Sequence, residues 1–546
     1  IVLVDDAGYG DFGCFGNPFV KTPNIDRFHG ESVRLTDFHV TPMCTPTRGQ
    51  LLTGVDAVRN GATSVTGGRS FLRPGIPTLP EMLSQSGYRT GIFGKWHLGD
   101  SYPHRPMDKG FQEAVWVKGW GFTSAPEFSN SFFDGRCYRG TTEAKIKGYA
   151  TDFFFDEAMS WMKDRQAKRE PFFCYLPLHA AHTPHQVADK YSDPYRKAAP
   201  AGAKFYGMIA NIDENMGRLD AFLRESGLRE NTLVLFMTDN GGTMGTRFYT
   251  AGLRGKKTEF HDGGHRVPAM VRWPAGKLRA AGDIAVPTQV QDMVPTFLEF
   301  TGAKRASSGP GLDGTSLAGL LRGQVATLPE RTFVVQYSRA MLTKWECAVV
   351  SGPWRLVEGK ELHNVEEDRG QATDLAAKNP EVVARLRAHY EKWWTSLDAK
   401  TREFVPTSVG STAQPVVVLT SADWQDVYCD NSNHIRESRG GPRGGPWHIN
   451  VEQAGDYEIS LRRWPAELDL PLAANEGAAN VKVLPIAAAT VKIGDLEQSA
   501  KATGENAKEI ILRMKLPKGQ TQMQAWFQDA AAKDLAGAFY ATVTKR

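Results

Sequence analysis

The sequence predicts an α/β fold: a mixed sheet flanked by helices, then a small antiparallel α+β subdomain, then an all-β, sandwich-like domain. Three observations carry this. Continuous apolar runs at 1–4, 172–176 and 232–237 read as strands buried on both faces. Amphipathic helical patterns at 149–165 and 204–225 alternate with them. Beyond residue 416 the chain holds only short strand-like segments separated by turns.

Composition narrows the function classes. The 546 residues carry 65 basic and 61 acidic side chains, a formal net charge of +4. That balance gives no footing for nucleic acid or a membrane surface, but suits an anion held in a local basic pocket. Every apolar run falls far short of the roughly 18 residues of a membrane span, so no membrane insertion is expected. Six cysteines stand at 14, 44, 137, 174, 347 and 429, without the close spacing of a zinc ribbon. Setting Cys44 aside leaves five, so at least one thiol stays unpaired. The chain opens inside a strand, so a leader ahead of it is expected, and with it a periplasmic or secreted location.

The first strand delivers Asp5-Asp6 to its C-terminal edge, where open α/β sheets bind ligands. Adjacent carboxylates after an apolar run repel each other unless a cation lies between them; a solvated turn is the bland alternative. A capped helix start at Thr22-Pro23 and a strand over 33–38 lead to Cys44-Thr45-Pro46-Thr47-Arg48, followed by Leu51-Leu52-Thr53-Gly54. Pro46 disfavours the α region at Thr45, and the later residues read as the body and stop of a short helix. A thiol at a helix start is a nucleophile candidate, because unpaired N–H groups favour negative charge there. The alternative is a buried structural cysteine.

The helix expected over 79–87 and the strand over 89–93 lead into Gly94-Lys95-Trp96-His97. Lys95 and His97 share one face of an extended segment, which suits an anion with a proton to move. Residues 100–140 read as an irregular, aromatic-rich segment that shapes a substrate site, with Trp120 a candidate for stacking on a sugar. The strand at 172–176 delivers His179, His182 and His185; His179 is expected to pack, and His185 to touch substrate. The strand at 232–237 ends in Asp239-Asn240, repeating the pattern at Asp5-Asp6. Four oxygen ligands at two strand ends suit calcium or magnesium rather than zinc.

The run Cys44-x-Pro46-x-Arg48-x-x-x-Leu52-Thr53-Gly54 resembles the signature of the type I, formylglycine-dependent sulfatases, within the alkaline phosphatase superfamily. The resemblance spans roughly residues 1–400 and implies an alkaline-phosphatase-like sheet. It implies that Cys44 is oxidised to formylglycine by a maturation enzyme. Asp5, Asp6, Asp239 and Asn240, with the modified Cys44, then hold a metal, typically Ca2+ and less fittingly Mg2+. The resemblance assigns Arg48, Lys95, His97, His182 and Lys257 to catalysis. Lys257 is the second residue of a Gly-Lys position whose first is here Lys256, a departure from the pattern. A bulky residue and Glu usually precede Gly-Gly; here His261 and Asp262 do, making His261 and His265 candidate specificity residues.

The domain reading is 1–330 for the catalytic unit, 331–400 for the small subdomain with a helix opened by Asn379-Pro380, 401–415 for a linker, and 416–546 for the β domain. The expected substrate is a sulfated mono-, oligo- or polysaccharide. Phosphomonoester or phosphodiester hydrolysis, or carbohydrate binding by an inactive centre, are the alternatives.

Overall fold

A computed structural model describes residues 1–401 and 403–546, of 398–401 the backbone only. A ten-stranded sheet forms the frame. Its order is Gly282–Ile284, Val33–Leu35, Ala269–Arg272, Val234–Thr238, Val2–Val4, Phe172–Pro177, Arg89–Lys95, Glu113–Val117, Arg136–Arg139 and Thr142–Lys145. The five strands from Val234–Thr238 to Glu113–Val117 are parallel; Ala269–Arg272 and Arg136–Arg139 flank them antiparallel, so the sheet is mixed.

Both faces are covered, which is why the central strands are apolar without alternation. Val2, Val4 and Phe236 pack under the helices Pro23–Gly30, Ala150–Ala167 and Ala203–Glu225. Leu3, Leu235 and Met237 face the opposite layer, built from the helices Cys44–Thr53, Leu79–Gln85 and Met293–Thr301. The parallel strands end on one edge, and there they deliver Asp5-Asp6, Lys95, the His179–His185 segment and Asp239-Asn240.

The segment 100–140, expected to be irregular, is partly a sheet extension. Glu113–Val117 is a buried strand, and Arg136–Arg139 and Thr142–Lys145 form an edge hairpin whose second strand is largely exposed. A four-stranded antiparallel sheet follows, Thr332–Gln336, Cys347–Ser351, Trp354–Val357 and Glu361–Asn364. One of its faces packs on the helix Pro380–Thr401 through Leu386 and Tyr390. Its other face sets Phe333, Val335 and Tyr337 against Met43, Cys44 and Phe260.

The stretch 403–415 is not free chain throughout. Thr407–Val409 pairs in parallel with Trp447–Val451, because its buried β-branched residues complete a sheet edge. Residue 402 of that expected linker lies outside the described residues. The C-terminal domain is a sandwich of a six-stranded and a four-stranded sheet. The strand Ile510–Leu516 shows its logic, burying every second residue in the shared core. All six cysteines are unpaired. Among the described residues no helix is long and apolar enough to cross a membrane.

Candidate active site

Cys44 is the first residue of the helix Cys44–Thr53, preceded by Met43 in an extended conformation. Thr45 is helical, contrary to the restriction expected from Pro46. Pro46 is only the third helical residue, where the backbone has no intrahelical N–H to lose. Gly54 closes the helix in the left-handed conformation (φ 67°), its N–H donating to Gln50 O.

This start places the Cys44 thiol amid the two carboxylate-bearing strand ends. Its Sγ lies 3.5 Å from Asp5 Oδ1 and 3.4 Å from Asn240 Oδ1. Donor atoms of Asp5, Asp6, Cys44 and Asp239 all fall within 4.8 Å of one another, every residue buried. Burial and then the Asp5 charge push the Cys44 thiol well above its ordinary value, against the thiolate expected at a helix start.

Cations surround the cluster. Arg48, fully buried, donates through Nε and Nη2 to Asp239 Oδ2 at 3.0 and 2.7 Å. Lys95 Nζ donates to Asp5 Oδ2 at 2.6 Å. Lys257 pairs with Asp6, and its Nζ also lies 3.4 Å from Cys44 Sγ. Burial would raise the Asp6 carboxyl, but Lys257 and then His182 hold it well below the usual range. Burial and then Asp5 push Asp239 up to about 6 despite Arg48. Three buried carboxylates and an amide oxygen, all hard donors, fit a calcium or magnesium ion.

The two histidines have distinct free nitrogens. His182 Nδ1 donates to Thr183 O at 2.7 Å, leaving Nε2 3.7 Å from Asp6 Oδ2. Burial, opposed by Asp6 and assisted by Lys257, moves His182 down to about 4. His97 leaves the strand in a left-handed conformation (φ 58°), so it does not share an extended face with Lys95. Its Nε2 lies 3.3 Å from Val65 O, and its buried Nδ1 has no hydrogen-bond partner.

A cavity of about 590 Å³ opens over this floor, lined by Cys44, His97, His182, Lys257 and Trp120. The Trp120 ring lies 5.0 Å from that of His182, and its Nε1 donates to Asp430 O at 3.1 Å. Three other expected residues are elsewhere. His185 packs edge-on against Phe205, an apolar face that draws it off the cavity. His261 turns toward Glu361, and the fully buried His265 bonds His39 Nδ1 at 2.9 Å. Lys256 points outward to Glu259, which leaves Lys257 as the lysine of this pair at the floor.

The cavity's far wall has no mark in the sequence. Tyr337 and Arg339 come from the small subdomain, and Tyr428, Asp430, Asn431, Asn433 and Arg436 from the β domain. These are polar residues of loops and of the short helix Ser432–Arg436, without a motif, and only the fold brings them to Cys44.

A profile of the family described as Sulfatase matches residues 1–303, more than half of the chain. The chain belongs to the sulfatase family of hydrolases. Among curated sulfatases it is 31% identical to N-acetylgalactosamine-6-sulfatase of Rattus norvegicus over 361 residues, 60% of this chain and 66% of that one. It is also 31% identical to arylsulfatase A of Homo sapiens over 360 residues, 59% of this chain and 67% of the other. The chain thus spans about two thirds of the length of these relatives. Among solved structures, Ps i-CgsB in complex with k-i-k-neocarrahexaose superposes with a TM-score of 0.66 at 26% identity, covering 74% of this chain and 94% of that one.

Proposed function

We propose that this sulfatase-family chain hydrolyses a sulfate ester on a saccharide. The observation that carries the reading is the gathering of Asp5, Asp6, Asp239 and Asn240 around Cys44, with Lys95 paired to Asp5, beneath a cavity lined by Cys44 and Lys257. Asp5, Asp6, Asp239 and Asn240 would hold a divalent cation, calcium the better match. That ion supplies positive charge against the sulfate, and oxidation of Cys44 to formylglycine supplies a hydroxyl nucleophile in place of the thiol.

The remaining chemistry belongs to side chains. Lys95 and Lys257 exchange their carboxylate partners for sulfate oxygens and stabilise the charge that develops there. Arg48 stays on Asp239 and fixes the metal-side carboxylate. His182 gives a proton from Nε2 to the departing alcohol oxygen; a bound sulfate anion raises its pKa toward that task. His97, with Nδ1 free, accepts the proton whose removal releases sulfate. Trp120 offers a ring face to a sugar.

The 31% identity with an N-acetylgalactosamine-6-sulfatase and the likeness to a protein solved with a neocarrahexaose support a sulfated carbohydrate. A formylglycine-generating maturation enzyme and a periplasmic or secreted location accompany this reading.

The test combines two measurements on protein from its native source. Mass spectrometry of the Cys44 peptide is expected to find the aldehyde or its hydrate. Calcium-loaded enzyme is expected to release sulfate from sulfated saccharides and to leave the matching phosphate esters intact. An unmodified thiol together with faster phosphate release would sink the reading. The two lysines give a second prediction. Lys257→Ala is expected to lower kcat/KM by on the order of 10²–10³-fold, the usual cost of an electrostatic donor at the reacting group. Lys256→Ala, which removes only a surface pair, is expected to stay within about threefold. Equal losses in steady-state assays would refute this assignment.

A further inference from the structure

His261, Glu361 and His363 form a second cluster of metal-ligating groups, apart from the catalytic floor, with donor atoms within 4.8 Å of one another. His261 precedes the short helix Asp262–His265. Glu361 and His363 stand two residues apart on the strand Glu361–Asn364, and so on one face of it.

Two features point to a cation. The first is hydrogen-bond bookkeeping. His363 is fully buried, and its Nδ1 donates to Thr373 O at 2.8 Å. That leaves Nε2 as a lone-pair acceptor with no hydrogen-bond partner, 3.3 Å from Glu361 Oε2, itself an acceptor. A ligating histidine commonly shows this arrangement, one ring nitrogen bonded to a backbone carbonyl and the other left for the metal. The second is spacing. His261 Nε2 lies 3.4 Å from the same Glu361 oxygen. Ligand bonds of about 2.0–2.1 Å at tetrahedral angles set donors about 3.3–3.4 Å apart. A direct N–H···O bond would draw them to about 2.9 Å.

Arg254 competes for the site, with Nη1 3.2 Å from Glu361 Oε2. It also donates to Gln371 O at 2.9 Å and is nearly half exposed, so it keeps a partner when it releases the carboxylate.

We propose that His261, Glu361 and His363 bind one Zn2+ ion, with water as the fourth ligand. Two imidazole nitrogens favour zinc over calcium, in contrast to the all-oxygen set at Asp5 and Asp239. Glu361 is 40% exposed, which gives the ion a way in. The ion would tie the loop that carries Lys257 to the four-stranded sheet. That loop is closed at its base by Gly263 N–H donating to Arg254 O, and Lys257 N–H donates to Gly242 O. Zinc would add a link at its His261 end.

The test uses tag-free protein, stripped with a chelator and returned to excess calcium so that the all-oxygen site is filled. Zinc chloride alone is then titrated by calorimetry, and bound zinc is counted after desalting. One zinc per chain is expected. Glu361→Ala changes the edge strand of the small sheet, and His261→Ala the α/β-domain loop that faces it. Each is expected to weaken binding at least about a hundredfold. Asp239→Asn, at the catalytic floor, is expected to bind zinc like the parent. Zinc is also expected to raise the Tm of the parent and not of the Glu361→Ala protein. No zinc uptake by the parent, undiminished uptake in both alanine variants, or loss of uptake in Asp239→Asn would each overturn the proposal.

Discussion

Replacing Cys44 by alanine is expected to leave a folded protein that no longer turns over sulfate esters. Loss of a hydrolase nucleophile costs on the order of 10⁴–10⁶ in kcat. The fold has little reason to notice. Cys44 is buried against the small sheet, but its thiol makes only weak sulfur contacts, at 3.4 Å to Asn240 and Lys257 and 3.5 Å to Asp5. Removing one sulfur leaves a small cavity and frees no strong partner, a cost of about 1 kcal/mol. The carboxylates also keep their cationic partners Arg48, Lys95 and Lys257. Initial rates on an aryl sulfate, beside thermal melts of parent and variant, separate the two effects. The parent must first be shown by mass spectrometry to carry formylglycine, because an unconverted parent would be as silent as the variant. Parent-level turnover by a well-folded Cys44→Ala protein would remove Cys44 from the mechanism.

The elements that place this site were legible because their burial leaves a simple mark. Val2–Val4 and Val234–Thr238 are covered on both faces, so they read as apolar runs, and polar residues after them read as ligands at a strand end. The edge hairpin at Arg136–Arg139 and Thr142–Lys145 left no such mark, since its second strand is largely exposed. Leu496–Lys501, the exposed strand that pairs with Ala488–Ile493, leaves none for the same reason. Side-chain direction was harder still. Nothing near His261 or His265 in sequence tells that Glu361 will face the first, or that His39 will face the second, 100 and 226 residues away. The far wall of the cavity, from Tyr428 to Arg436, is likewise set by docking of the β domain and not by a local pattern.

That long-range docking makes Arg355→Met the most damaging stability change we expect away from the catalytic floor. Arg355 projects from the small sheet and is fully buried. Its Nη2 donates to both oxygens of Asp37, at 2.7 and 2.9 Å, and its Nε to Asp262 Oδ1 at 3.1 Å. Asp37 and Asp262 belong to the α/β domain, so one cation ties two units together. Arg266 reaches both carboxylates less closely, at 3.4 and 3.2 Å. Methionine fills much of the volume but leaves two buried carboxylates with reduced compensation, which costs about 3–5 kcal/mol.

Burial alone would raise both carboxyls, yet Arg355 foremost holds Asp262 down at about 2 and Asp37 well below its usual range. Their contribution to parent stability is therefore complete above the unfolded value of about 3.9. It is lost as pH falls from there, toward about 2 for Asp262 and lower still for Asp37. Without Arg355, burial gains weight and the carboxyls rise above their unfolded values. The folded variant then prefers protons, so it gains stability as pH falls from 7 toward 4. Denaturation midpoints at pH 7, 5.5 and 4 should show the gap between parent and variant narrowing with acid. A gap that stays constant over that range would mean that packing, and not the buried charge, accounts for the loss.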